Sequence, residues 1–286
     1  MIEKDYYENP FLWNIERYLE NKDELERLNK TTDIIPEDVL SLLDVGCGNG
    51  VFLHLLQSKR KGIYSVGLER SKIAVEVAYK NFNVKVIGED VSSLPFKDGE
   101  FDCITALEVI EHLPYRVYEK AINEFERVSK KYIIISVPYK DNLALTQCPY
   151  CGCKFNPNFH FRRFDERVLK SLCSNFKLVK FSLMVPKKEF YFYRLLKCFS
   201  HLVFGVNFPE YTVCPACGYR KIDSSDLVSK EINHIPRNRL KELLTNLIPK
   251  RKKFKWIVAI YERRNTSINL YKENIARRNS KIEEAL

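Results

Sequence analysis

The most constraining feature of the chain is the segment 42–50, in which an apolar run ends at Asp44 and is followed by Gly46, Gly48 and Gly50. An amphipathic stretch at 51–56 comes directly afterwards. This order predicts a buried strand, a tight loop and a helix. Glycine in such a loop permits positive φ and lets the backbone approach a ligand that a Cβ atom would exclude. We therefore expect a ligand-binding loop at the carboxyl end of a strand.

Strand and helix patterns alternate along most of the chain. Because single helices separate the predicted strands, the pattern indicates an α/β fold with a parallel, doubly wound sheet. The predicted strands lie at about 40–45, 63–68, 84–88, 101–106, 132–137, 176–185 and 255–263, and the predicted helices at 50–59, 71–81, 114–129 and 166–175. Helical spacing of apolar residues also predicts a helical segment before the first strand.

Composition limits the class of protein. The 286 residues, 45% of them hydrophobic, can form one α/β domain of about 200 residues and a smaller module. No apolar run approaches the roughly 18 residues of a membrane span, and the charged N-terminus predicts that no secretory signal is present. We therefore expect a cytoplasmic protein. The net charge of +10 indicates either an anionic partner or a solvated lysine-rich face.

Four landmarks occur in a fixed order. They are the Asp44 loop with its glycines, Glu69 after the second strand, Asp90 in the sequence GEDV, and the segment 94–113 around the fourth strand. Over residues 38–185 they resemble the class I S-adenosylmethionine (SAM) methyltransferases. The resemblance implies a Rossmann-like, seven-stranded sheet that ends in an antiparallel hairpin, and SAM as the cofactor. The cofactor-binding residues that it implies are Asp44, Gly46, Gly48, Gly50, Glu69, Asp90, Val91 and Leu107.

The sequence EVIEH at 108–112 raises the question of the catalytic base. It is similar to the motif of ubiquinone-biosynthesis O-methyltransferases and of enzymes that methylate the 3′-terminal 2′-hydroxyl of small RNAs. His112 alone can remove a proton from a hydroxyl. Alternatively, Glu108, Glu111 and His112 bind Mg²⁺ or Mn²⁺, which lowers the pKa of the hydroxyl, with His160 as a further ligand. A structural role for His112 is the third possibility.

Two cysteine pairs share the pattern C-P-x-C-G. Cys148 and Cys151 form the first pair, and Cys214 and Cys217 the second. Two such pairs supply the four thiolates of a closed tetrahedral zinc site, with Cys153 or His160 as substitutes for one ligand. A full thiolate shell leaves no open position, so the sequence predicts structural Zn²⁺ that joins a substrate-side lid to the core.

The expected organisation has four parts. Residues 1–37 form a helical cap, 38–185 plus 254–264 the SAM-binding core, 140–163 and 186–253 a zinc-linked lid or insert, and 265–286 a charged tail. The aromatic and cationic stretch at 190–204 is predicted to be a helix. Such a helix packs on the core or on another subunit, or makes peripheral contact with a membrane or a lipid-linked substrate.

These features predict methyl transfer from SAM to a hydroxyl oxygen of a small or carrier-linked molecule. One alternative is a metal-dependent RNA 3′-terminal 2′-O-methyltransferase. Binding of nucleic acid is compatible with the positive charge, although no recognised RNA-binding motif is present. A catalytically silent protein that binds SAM or interacts through zinc is the alternative from another class.

Overall fold

The computed structural model describes residues 6–190, 208–209, 211–221 and 250–264. Nine strands lie in these ranges. They are Ser41–Val45 (β1), Tyr64–Leu68 (β2), Val86–Ile87 (β3), Phe101–Leu107 (β4), Ser129–Pro138 (β5), Thr146–Gln147 (β6), Lys154–Phe155 (β7), Phe176–Phe190 (β8) and Lys250–Arg263 (β9).

One seven-stranded sheet, in the order β3-β2-β1-β4-β5-β9-β8, forms the centre of the described chain. The strands from β3 to β5 run parallel, and β9 is antiparallel to both β5 and β8. The strand order reverses between β1 and β4, which is where sheets of this type bind ligands. The predicted α/β fold with a doubly wound sheet and a terminal antiparallel hairpin is confirmed.

Six helices of the described residues flank the sheet or precede it. Polar N-caps begin several of them: Asn14 and Asn21 accept backbone N–H groups before the first two, and Ser71 accepts from Ala74 N. The helices are Ile15–Glu20, Lys22–Asp33, Val51–Lys59, Lys72–Phe82, Tyr115–Val128 and Glu166–Lys170. The predicted helical segment before the first strand therefore consists of two short helices after a single 3-10 turn.

The sheet has a hydrophobic layer on each face. Alternate residues of β1 enter different layers, since Leu43 packs with the helix Tyr115–Val128 and Leu42 with the helix Val51–Lys59. Neither leucine has exposed surface. Burial of a leucine side chain contributes about 1.5–3 kcal/mol, so these layers fix the carboxyl ends of β1, β2 and β4 relative to one another.

Several elements differ in length from the sequence prediction. The strand predicted at 84–88 is reduced to Val86–Ile87. The helix predicted at 166–175 begins behind its expected cap, Asp165, but ends at Lys170. It ends early because the backbone N–H groups of Ser174 and Asn175 donate to the Glu126 carboxylate instead of continuing the helix. The hairpin strands β8 and β9 are each longer than predicted.

Two predicted segments, the helix at 190–204 and the tail at 265–286, lie outside the described residues, apart from the backbone of Phe190. Among the helices that are described, none combines the length and the apolarity needed to cross a membrane.

Candidate active site

The loop after β1 requires glycine at two positions. Gly46 has φ 69°, and a Cβ atom there would lie 2.5 Å from Val109 Cγ2. Gly48 has φ 53°, and its Cβ would lie 2.8 Å from the ring of Trp13. Gly50 caps the following helix and packs against Ala78. The first two glycines therefore let Val109 and Trp13 pack closely against the loop, and the third serves the turn into the helix.

Two acidic residues are buried at the ends of neighbouring strands. Asp44 accepts a hydrogen bond from Thr105 Oγ1 at 2.6 Å. Glu69 accepts from Gly48 N at 3.0 Å and from Ser71 N at 2.9 Å, so it ties the glycine loop to the end of β2. Asp90, by contrast, is exposed and accepts from Ser92 N at 2.8 Å.

Two cavities adjoin the glycine loop. One, of about 190 Å³, is lined by Glu69, Asp90 and Val91, and the other, of about 540 Å³, by Asp44, Gly48 and Leu107. Gly46, Trp13 and Glu108 line both, so the two cavities meet at the loop. The Asn49 side-chain amide is buried beside the larger cavity with no acceptor in the described chain. Together the cavities offer donors, acceptors and an apolar wall to an elongated ligand such as SAM.

Burial affects the charge of Asp44. It raises the pKa of this carboxyl from 3.8 to about 7, and the hydrogen bond from Thr105 opposes the shift only in part. A folded-state pKa above the unfolded one means that the native state binds the extra proton between about pH 4 and pH 7. Stability is therefore lost as the pH rises through this window.

The variant Asp44→Asn tests the loss of stability that ionisation of the buried Asp44 causes. It keeps the oxygen that accepts from Thr105 but carries no charge, so the cofactor-free variant should exceed the native protein in stability more at pH 8 than at pH 5. The difference between the two values should be at most about 3 kcal/mol, because only about two pH units separate pH 5 from the folded-state pKa of about 7. Urea unfolding at both pH values measures it, and the exposed Asp98→Asn is the control. Equal differences at both pH values would contradict the assignment.

Glu108 lies at the centre of the site, but its side chain points away from Glu111 and His112. Its φ of 61° places it in the left-handed region. Its carboxylate accepts from Ser136 Oγ at 3.1 Å and from Trp256 Nε1 at 2.8 Å. The Arg27 guanidinium lies 4.0 Å away. Burial raises the pKa of Glu108, and Arg27 opposes this effect.

The structure groups Glu111 and His112 with His160 instead. One potential ligand atom from each of the three lies within 4.8 Å of the others. Both Glu111 oxygens and His112 Nδ1 are buried and have no hydrogen-bond partner in the described chain. Burial raises the pKa of Glu111 well above its ordinary value, because the carboxyl is fully buried and Glu108 adds negative charge nearby.

His112 is neutral at physiological pH. Burial, followed by the effect of His160, lowers the pKa of His112 to about 3. A histidine with such a low pKa is a weak proton acceptor at neutral pH. His112 lines the smaller cavity beside Glu69 and Asp90, which places it next to the cofactor side of the site.

His160 forms a hydrogen-bonded pair with Asp141. Its Nδ1 lies 2.6 Å from Asp141 Oδ2. Burial would raise the pKa of Asp141, but the hydrogen bond with His160 and the electrostatic effect of this neighbour hold it below its usual value. The ionised carboxylate fixes Nδ1 as the donor, so Nε2 is the nitrogen that accepts a proton. Both residues line a third cavity, of about 860 Å³, which Glu108 also lines.

The four cysteines of the two C-P-x-C-G pairs lie together. The Sγ atoms of Cys148 and Cys217 are 3.7 Å apart, and those of Cys151 and Cys214 are 3.5 Å apart. The glycine after each pair has φ 73°, and the two turns repeat the same backbone hydrogen bonds. Cys153 and His160 are not members of this four-cysteine cluster.

The cysteine cluster is connected to the loop that carries His160. Tyr211 Oη donates to Asn158 Oδ1 at 2.8 Å, and Thr212 Oγ1 donates to the Pro157 carbonyl at 2.7 Å. Phe159 packs in the same small core as Cys148 and Cys214. The segment before the second cysteine pair therefore positions the loop 156–160.

Sequence reasoning missed Asp141 as a functional residue. It lies in an irregular loop after β5, and nothing in its local sequence distinguishes it from a solvated aspartate. Its partner is distant along the chain, so the pairing depends on the packing of two loops. Only the position of Asp141, after the end of β5, indicated that it could belong to the site.

Comparisons with known proteins agree with the fold and the loop. Residues 43–135 match the methyltransferase domain family. The chain is 29% identical over 147 residues to norajmaline N-methyltransferase of Rauvolfia serpentina, covering 48% of this chain and 46% of that protein. It is 31% identical over 99 residues to a ubiquinone biosynthesis O-methyltransferase of Rickettsia bellii, covering 34% and 40%. The chain thus spans less than half the length of these curated relatives.

Two solved structures share the fold over most of the chain. A SAM-dependent methyltransferase of Thermotoga maritima, described as a possible histamine N-methyltransferase, has a TM-score of 0.52 at 17% identity and covers 91% of this chain and 99% of its own. The putative methyltransferase in complex with the Trm112 activator from Haloferax volcanii has a TM-score of 0.51 at 12% identity, covering 86% and 92%. Residues 43–135 thus match the methyltransferase domain family, and the chain has the α/β fold of SAM-dependent methyltransferases.

Proposed function

We propose that the protein transfers the methyl group of SAM to a hydroxyl oxygen of a small or carrier-linked molecule. The observation that carries the proposal is the pair of joined cavities at the ends of β1, β2 and β4, lined by the buried Glu69 and Asp44. An ionised Glu69 can accept both ribose hydroxyls, and Asp90, which lines the same cavity, would accept from the adenine amino group. Gly46 and Gly48 allow the backbone to contact the remainder of the cofactor.

The third cavity supports an oxygen acceptor. Methyl transfer is an in-line displacement, so a hydroxyl must lose its proton as it attacks the methyl carbon. Asp141 and His160 line this cavity, which shares Glu108 with both cofactor cavities. His160 takes the proton of the hydroxyl at Nε2, while Asp141 holds the ring orientation and stabilises its positive charge.

A specific observation favours a second candidate, metal-assisted methylation of an RNA 2′-hydroxyl. Glu111, His112 and His160 present three potential ligand atoms, and the buried Glu111 oxygens have no hydrogen-bond partner in the described chain. A divalent cation there would satisfy these groups and lower the pKa of the hydroxyl. Its ligand set would then be Glu111, His112 and His160, without Glu108.

The cysteine cluster fits structural zinc. Zinc–sulfur bonds of about 2.3 Å in a tetrahedron place the sulfur atoms about 3.8 Å apart, close to the observed 3.5 and 3.7 Å. Four thiolates leave no position for substrate, so this ion would stabilise the loop 156–160 and take no part in methyl transfer. Nothing in the donor set suits Mg²⁺ or Mn²⁺, which prefer oxygen ligands.

The variant Glu69→Gln tests the cofactor site. The neutral amide has one acceptor atom in place of two, so the affinity for S-adenosylhomocysteine (SAH) should fall about 10- to 100-fold. Calorimetric titration measures the change, with the surface variant Glu100→Gln as the matched control. Unchanged affinity in Glu69→Gln would refute the site. A screen for methyl transfer then separates an enzyme from a catalytically silent protein, which binds SAM without turnover.

A further inference from the structure

Four lysines and four acidic residues line the third cavity, but the acidic residues are engaged by other groups, so Lys187 has no ion pair of its own within the described chain. It lies between the loop after β5, the loop 156–160 and the far end of the β8–β9 hairpin. On that hairpin Lys187 lies directly opposite Lys253 in the antiparallel register. Like charges at directly opposed positions destabilise a sheet, and the ion pair with Glu189 compensates Lys253 but not Lys187.

The acidic side chains that line the cavity are already paired. The buried Glu189 binds Lys253 at 3.1 Å, and Lys255 binds Asp23 outside the cavity. Within the described chain, Lys187 has no acidic group at ion-pair distance. The paired acids are Glu24 with Arg27, Glu108 with Ser136 and Trp256, Asp141 with His160, and Glu189 with Arg251 and Lys253.

The surroundings of Lys187 change the pKa of its ammonium group. Partial burial, and then the charge of Lys253, lower the pKa of the Lys187 ammonium. An oxyanion placed between the two lysines would form charge-assisted hydrogen bonds and remove the repulsion between them. The cavity volume of about 860 Å³ suits a small molecule, since typical ligand pockets enclose about 300–1,000 Å³.

We infer that the methyl acceptor is a small molecule with a phosphate or carboxylate group, which binds between Lys187 and Lys253. This inference rests on the proposed function and narrows its substrate class. The anionic group anchors the acceptor at the hairpin, and the reacting hydroxyl points toward Glu108 and His160. The hairpin end thus selects the acceptor, while the ends of β1 and β2 bind the methyl donor.

Anion titration of the SAH-saturated protein tests the inference. Pyrophosphate and malonate, added separately at constant ionic strength, represent phosphate and carboxylate, and calorimetry measures their binding. At least one of them should bind, and Lys187→Gln should weaken its binding about tenfold. Lys180→Gln, on the same strand but outside the cavity, should leave the affinity unchanged. The probe that binds more tightly identifies the class of anion.

Three results would overturn the inference. They are the absence of binding by both probes, equal weakening in the two lysine variants, and tighter binding of a short oligouridylate that is insensitive to Lys187→Gln. The last result would favour an RNA acceptor. SAH binding in the same samples separates this test from the proposed function, because retained SAH binding without anion binding refutes only the acceptor class.

Discussion

Loss of zinc in the variant Cys214→Ser/Cys217→Ser is expected to abolish methyl transfer while most of the affinity for SAH is retained. Structural zinc sites have apparent binding free energies of about 10–16 kcal/mol, so loss of the proposed ion would leave only the small hydrophobic core to hold the two cysteine pairs together. Tyr211 and Thr212 would then no longer position the loop 156–160, which carries His160. Asp44 and Glu69, the acids proposed to bind the cofactor, lie on β1 and directly after β2, and the hydrophobic layers around these strands are separate from the small core of the cysteine cluster.

Metal analysis, SAH titration and a transfer assay on the same sample measure the three effects. Cys153→Ala is the matched control, because Cys153 lies beside the cluster but is not one of its four members. This control should keep one zinc ion per chain and its activity. Full transfer by a zinc-free double-serine variant would show that the ion does not support the active site. Loss of SAH binding together with activity would instead indicate that the core itself depends on zinc.

The features that could be predicted from sequence share a physical origin. Parallel strands buried on both faces give continuous apolar runs, as in β5, and the glycine loop has few conformational alternatives. Each cysteine pair was recognisable because it forms a complete local turn. Only the proximity of the two pairs depends on the fold. Local patterns therefore predicted the sheet, the loop and the cysteine turns.

Features that depend on long-range packing could not be predicted in the same way. The spacing of Glu108, Glu111 and His112 suggested one cluster, but the left-handed backbone at Glu108 directs its carboxylate to Ser136 and Trp256. His160 takes its place beside the other two residues. That arrangement depends on Phe161 N donating to the Glu111 carbonyl at 2.8 Å, a contact with no local sequence signal.

His160→Asn should give the largest loss of catalysis among single side chains. Removal of a general base lowers the rate about 10²- to 10⁴-fold, so kcat should fall by this factor while SAH affinity is unchanged. Asp141→Asn should lower kcat less, because the imidazole remains but its orientation and charge are no longer supported. The matched control is His54→Asn, since His54 stacks on Phe82 and lines none of the three cavities.

Loss of activity in His160→Asn does not by itself distinguish a base from a metal ligand, but the variant Glu111→Gln does. If His160 acts as the base, Glu111 takes no part in proton removal, so Glu111→Gln should retain activity and added Mg²⁺ or Mn²⁺ should have no effect. If a cation is bound, Glu111→Gln should be as damaging as His160→Asn, and wild-type activity should require the added ion. Asp141→Asn should lower activity in both cases, because Asp141 holds the His160 ring whether that ring accepts a proton or binds a metal. Activity that is lost in His160→Asn but kept in Glu111→Gln therefore assigns proton removal to the Asp141–His160 pair, and loss in both variants together with a requirement for the ion assigns it to a metal-bound hydroxyl.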